Sequence, residues 1–86
     1  AKQGIITEAM NALTRYLFQV LKAKRVEINC EQDNKNSANV ALRLNYDLEG
    51  TLRNHRFNAN GKKLTNSLIY SCIDISRLPP LAYHSV

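Results

Sequence analysis

Residues 40–57 read Val40-Ala41-Leu42-Arg43-Leu44-Asn45-Tyr46, then Asp47-Leu48-Glu49-Gly50, then Thr51-Leu52-Arg53-Asn54-His55-Arg56-Phe57. Val40, Leu42, Leu44 and Tyr46 alternate with smaller or polar residues, the period-2 pattern of a half-buried strand. Asp47 to Gly50 supplies a turn, with Gly50 free to adopt positive φ. Thr51 to Phe57 then returns as the second arm of a hairpin. Leu52 faces the core near the turn; Phe57 has the opposite parity and joins it only across a bulge.

Upstream, Ile6, Met10, Leu13, Leu17, Val20 and Leu21 recur at helical spacing and predict an amphipathic helix running to about Lys24. Thr7 is its candidate N-cap, and Lys22, Lys24 and Arg25 suit the negative end of its dipole. Val26, Ile28 and Cys30 alternate as a short strand, and Glu31 to Ser37 is turn-rich. Downstream, Asn58 to Gly61 is a second turn. Leu64, Leu68, Ile69, Cys72, Ile73 and Ile75 or Leu78 predict a second helix, stopped by Pro79-Pro80. Leu81 to Val86 is left as a short final strand. The expected architecture is α+β: a small antiparallel three-stranded sheet, built from a central hairpin plus a short edge strand, packed against the N-terminal helix and a second helix.

The 86 residues suit one domain, residues 1–86, and the missing initiator Met suggests a fragment of a longer protein. No apolar run is long enough to span a membrane. The net charge of +5 favours anionic partners, but the basic residues are dispersed. Arg43, Arg53 and Arg56 are the candidates for a shared anion-facing sheet surface. A small basic nucleic-acid-binding domain is the alternative this leaves open, although the aromatics are not interleaved with the arginines as stacking platforms require.

No catalytic constellation emerges. His55 and His84 lack triad neighbours, the glycines are isolated, and the carboxylates are not paired. Cys30, His55, Cys72 and His84 lack the close ligand pair of a structural zinc site. The expectation is therefore no enzyme, no metal and no cofactor. Cys30 continues the inward parity of Val26 and Ile28, and Cys72 sits on the apolar stripe of the second helix. A Cys30–Cys72 disulfide closing roughly forty residues would contribute on the order of 4 kcal/mol. Two buried free thiols are the alternative.

Val40 to Leu81 resembles the C-terminal domain of the TolA and TonB envelope transducers, with TolA closer. The alternating strand, the acidic-glycine turn, the return strand, the segment Leu64 to Leu78 and Pro79-Pro80-Leu81 carry the likeness. The resemblance implies a periplasmic interaction domain of an inner-membrane-anchored protein, monomeric in isolation. Its partners would be TolB-like periplasmic proteins, colicins or filamentous-phage coat proteins. Cys72 matches the family's helix cysteine. A last strand with an unpaired edge invites strand addition by a partner, and Tyr83, His84, Ser85 and Val86 are the residues expected there.

Overall fold

In the computed structural model, residues 2–58 and 60–81 are described. Chain order is α1 (Lys2–Gln19), β1 (Val26–Glu31), α2 (Lys35–Arg43), β2 (Asp47–Phe57), β3 (Leu64–Cys72) and a 3-10 turn at Ile75–Arg77. The three strands form one antiparallel sheet in the order β1-β3-β2. The expected α+β class, three-stranded antiparallel sheet and two helices are present; their placement along the chain differs.

The first difference is α2. Residues 35–43 form a helix where a turn-rich segment and a strand were expected. Alternation over Val40 to Tyr46 is also compatible with a helix whose inner face carries Val40, Ala41 and Leu44, all buried. The caps decide the matter. Asn34 is the N-cap, its side chain accepting from the Ser37 N–H. At the other end the Tyr46 N–H donates to the Ala41 carbonyl and the Asn45 N–H to the Leu42 carbonyl. Asn45 lies at φ 62, so the two bonds form a Schellman closure with asparagine in the place glycine usually takes. The closure delivers Tyr46, only 3% exposed, into the core.

The second difference is β3. Leu64, Leu68 and Cys72 repeat every four residues and so mimic a helix, yet the segment is the middle strand. Leu68, Tyr70 and Cys72 face the helices, while Thr65, Ser67 and Ser71 are buried on the other side. A central strand is covered on both faces, so the usual apolar–polar contrast gives way to large apolar against small hydroxyl. The hairpin accordingly joins β2 to β3 through residues 58–63, with Gly61 at φ 72. Asp47 to Gly50, expected as a turn, lies inside β2. Gly50 pairs with Ile69.

The expected N-terminal helix is present, but it starts at Lys2, ahead of the expected Thr7 cap, and ends at Gln19, short of Lys24 and without a basic last turn, and its inward face is rotated. Met10, Leu17 and Phe18 pack on the core together with buried Asn11 and Thr14. These polar residues are satisfied: Asn11 Nδ2 donates to the Pro79 carbonyl at 2.9 Å, and Thr14 Oγ1 bonds Tyr46 Oη at 2.7 Å. Ile6, Leu13, Val20 and Leu21, four of the six members of the expected stripe, are exposed. The expected final strand at 81–86 lies outside the described residues apart from Leu81, which is not in a strand.

Asn45 also donates through Nδ2 to the Arg77 carbonyl at 2.8 Å. Asn45→Ala should cost about 1–2 kcal/mol, because it places a β-carbon without a compensating bond in the left-handed region. Asn45→Gly should cost about 1 kcal/mol or less, since glycine is at ease there. Urea unfolding of both variants checks the order.

Candidate functional site

Where α1, β1 and α2 meet, an apolar cleft of about 200 Å³ is lined by Ile6, Met10, Ile28, Ser37 and Val40. Ile6 and Met10 come from the first turns of α1, Ile28 from the core-facing side of β1, and Ser37 and Val40 from α2. The cap that begins α2 therefore also sets Ser37, the one hydroxyl on an otherwise apolar wall. That hydroxyl makes no hydrogen bond among the described residues. No carboxylate or imidazole lines the cleft.

The amino end of α1 adjoins this cleft in sequence. The helix is 18 residues long and has no acidic residue in its first turn. A helix start leaves backbone N–H groups without intrahelical acceptors and carries partial positive charge. At Gly4, a β-carbon would meet nothing within 4 Å. The backbone of that turn is thus open to an approaching group, and an anion is the complement it calls for. Together these features offer a site for a ligand with a charged oxygen-rich end and an apolar arm, beside one hydrogen-bond donor.

The residues singled out from sequence fall elsewhere. Arg43 ends α2, Arg53 lies in an irregular stretch of β2, and Arg56 Nε donates to Ser67 Oγ at 2.9 Å. Arg43 thus lies off the sheet, while Arg53 and Arg56 lie on it, so the three do not share a sheet surface. His55 Nδ1 bonds the same Ser67 Oγ at 2.8 Å. Tyr83, His84, Ser85 and Val86 lie outside the described residues. Cys30 and Cys72 are both buried and free. Cys30 pairs with Leu68 and Cys72 with Val26, so four residues, about 13 Å of strand, separate the two thiols. A disulfide needs Cα atoms within about 7 Å, so the sheet does not bring this pair together. Burial pushes the Cys30 thiol up, with Arg56 partly opposing it. Ser37 and Gly4 were missed in the sequence, because a lone serine in a polar segment and an isolated glycine carry no local signature. The Asn34-to-Ser37 capping spacing was the available signal.

On the opposite face of the sheet, Arg25 bridges Glu27 and Glu49, and Ser71 Oγ donates to Glu49 at 2.7 Å. The Arg25 and Ser71 bonds hold the Glu49 carboxyl down to about 2.

The family model described as acetyltransferase (GNAT) domain matches residues 1–47. A ribosomal-protein-serine acetyltransferase of Escherichia coli (strain K12) is 42% identical over 55 residues, covering 64% of this chain and 31% of that protein. Among solved structures, a microcin C7 self-immunity acetyltransferase in complex with acetyl-CoA and AMP shares 37% identity over 83% of this chain and 38% of its own, with a TM-score of 0.73. A ribosomal L7/L12 alpha-N-protein acetyltransferase in complex with coenzyme A shares 26% over 86% and 41%, with a TM-score of 0.75. The chain thus spans between about a third and two fifths of the length of these relatives.

These findings overturn the resemblance to the TolA and TonB domains and with it the expectation of an envelope interaction module that is not an enzyme. TolB-like, colicin and phage-coat partners, and the nucleic-acid-binding alternative, go with it. The likeness rested on reading Val40 to Phe57 as a hairpin and Leu64 to Leu78 as a helix, and both segments fold otherwise. The periplasmic location and membrane anchor were implied by that resemblance alone.

Two expectations follow from this geometry. Under alkylation, native chain should leave both cysteines unmodified and unfolded chain should take two labels without prior reduction, as intact mass will show. Glu49 should stabilise the fold fully above its ordinary carboxyl range, near 4.5, and progressively less as pH falls towards about 2. Glu49→Gln should flatten that acid limb in pH-dependent unfolding.

Proposed function

The chain belongs to the acetyltransferase (GNAT) family, and on that premise we propose that it forms the coenzyme-binding part of an N-acetyltransferase acting on a protein amino group. One observation carries the reading. The matched residues 1–47 contain α1, β1 and α2, and so every residue of the apolar cleft and the whole amino end of α1.

The residues fit acetyl-CoA by their own chemistry. The first turn of α1, with Gly4 unobstructed, would hold the phosphates through backbone N–H groups. The wall of Ile6, Met10, Ile28 and Val40 would accept the apolar arm and exclude water around it. When bound, acetyl-CoA supplies an acetyl group activated as a thioester. Transfer breaks the carbon–sulfur bond, forms a carbon–nitrogen bond, and requires the amine to lose a proton while the sulfur takes up charge. Ser37 is the group of this chain suited to that charge: its unpaired hydroxyl can donate to the sulfur as the bond breaks. The cleft itself holds no group that would take the proton from the amine.

The acceptor is read from the relatives. Two of them are named for ribosomal proteins, one for a serine and one for an alpha-amino group. A protein amine is therefore the acceptor class assigned here.

Acetyl transfer to a panel of amino-terminal peptides tests this, read by mass. Ser37→Ala should lower kcat on the order of 10²-fold with little change in KM for acetyl-CoA, the signature of a bond made in the transition state. Gly4→Glu sets a carboxylate where phosphates are assigned and should weaken coenzyme binding at least about tenfold. Unchanged transfer in the first variant and unchanged binding in the second would contradict the reading.

A further inference from the structure

We propose that Asn60 is a self-modifying site: the Gly61 main-chain nitrogen attacks the Asn60 carboxamide, and the β2–β3 turn passes into aspartate and isoaspartate forms. The chemistry is independent of acetyl transfer. Its place is the turn that contains Asn58, Asn60 and Gly61, which shares no residue with the coenzyme site. Asn60 is the one asparagine of the sequence followed by glycine. Glycine has no side chain to shield its nitrogen, so it is the least obstructed neighbour an asparagine can have.

The turn sets the two reacting groups beside each other. The Lys62 N–H divides between Asn60 Oδ1 and Asn58 Oδ1, each at 3.1 Å. The bond from the Asn60 side chain to the main chain two residues on is an Asx-turn. It folds the carboxamide back over the main chain that follows, which carries the Gly61 nitrogen. It also draws electrons from the carboxamide carbon and stands ready to stabilise charge on Oδ1 as the nitrogen adds. Asn60 and Gly61 are both exposed, so water and base reach them. One bond opposes the attack. The Gly61 N–H donates to the Asn58 carbonyl at 2.9 Å and must be released first.

The Gly61 nitrogen forms a bond to Asn60 Cγ, the bond from Cγ to Nδ2 breaks, and ammonia leaves with the amide proton. Water then opens the five-membered imide at either carbonyl. One opening gives aspartate. The other gives isoaspartate, in which the main chain runs through Cγ. Either product sets a carboxylate close to Lys62 and Lys63 and lowers the net charge of +5 by one. Asn11, Asn36 and Asn66 also precede small residues, but Asn11 and Asn36 lie in helices and Asn66 in the central strand. Regular backbone there keeps the carboxamide from closing on the next nitrogen.

Isoaspartate lengthens the main chain of the turn by one atom. The turn is closed by the Gly61 bond and by the Asn58 N–H, which donates to the Lys63 carbonyl at 2.8 Å. Asn58 and Lys63 also line a polar pocket of about 320 Å³, together with Asn54 from the irregular stretch of β2 and Thr65 of β3. A lengthened turn does not keep both closures, so the pocket loses the wall that they hold.

The experiment incubates native chain at neutral and at mildly alkaline pH and maps it by peptide mass spectrometry that separates aspartate from isoaspartate. Residue 60 should gain the acid, mostly as isoaspartate and faster at the higher pH, while Asn11, Asn36 and Asn66 stay intact. Asn60→Gln would need a larger ring and should lose the conversion. Gly61→Ala crowds the attacking nitrogen, and a barrier raised by about 1.4 kcal/mol slows conversion about tenfold. The slowing should appear in native chain and in urea alike, which separates crowding from the strain of alanine at φ 72. Amide NMR of the isoaspartate fraction, isolated by charge, should show moved signals at Asn58 and Lys63 and unmoved signals at Ser37. Native chain that keeps Asn60 while chain in urea converts it would overturn the proposal, as would earlier conversion at Asn36 or Asn66. Unmoved signals at Asn58 and Lys63 would overturn the opening of the pocket.

Discussion

Everything in this fold hangs on β3 having a hydrogen-bonded neighbour on each side. Its ladder to β1 runs in unbroken register from Val26 against Cys72 to Glu31 against Ser67. Its ladder to β2 is interrupted twice, between Leu48 and Gly50 and between Leu52 and Arg56. The regular side makes the floor on which α1 and α2 pack, and so fixes the apolar cleft. The irregular side releases Asn54 from the ladder and opens the polar pocket. A single strand thus sets both the cleft and the pocket, with Leu68, Tyr70 and Cys72 towards the helices and the buried hydroxyls of Thr65, Ser67 and Ser71 away from them.

The helices are held by polar groups as much as by apolar ones. Asn11 and Arg15 both donate to the Pro79 carbonyl, and Thr14 meets the Tyr46 hydroxyl inside the core. Buried polar groups that are fully satisfied specify one arrangement, whereas an apolar contact alone tolerates sliding. α1 is therefore fixed in rotation and along its axis. That matters for function, since its first turn and its second supply opposite parts of the proposed coenzyme site.

The legibility of the sequence followed the same physics. The N-terminal helix and the strand at Val26 were readable because each buries one face against one neighbour, which is what periodicity reports. α2 was unreadable as a helix because its apolar residues, Val40, Leu42 and Leu44, also fit a period of two. The asparagines that cap it, Asn34 and Asn45, looked like loop residues. β3 failed for the converse reason: with both faces covered, its large residues happened to fall four apart. Two exchanged elements were enough to mimic another family's hairpin and helix, and the partners inferred from that likeness fell with it. The sites were less legible still. Ser37 and Gly4 acquire meaning only from what the fold sets beside them.

The claim on which the account turns is that the amino end of α1 and the adjoining cleft receive coenzyme A. Backbone hydrogen exchange of the chain, with and without saturating coenzyme A, reaches it most directly, because the first-turn amides of α1 have no intrahelical acceptor and exchange freely unless a ligand supplies one. The account predicts slowed exchange in that first turn and at Ile28 and Ser37, with β2 unchanged. Protection centred instead on Arg53 and Arg56, or no protection at any amide, would contradict it.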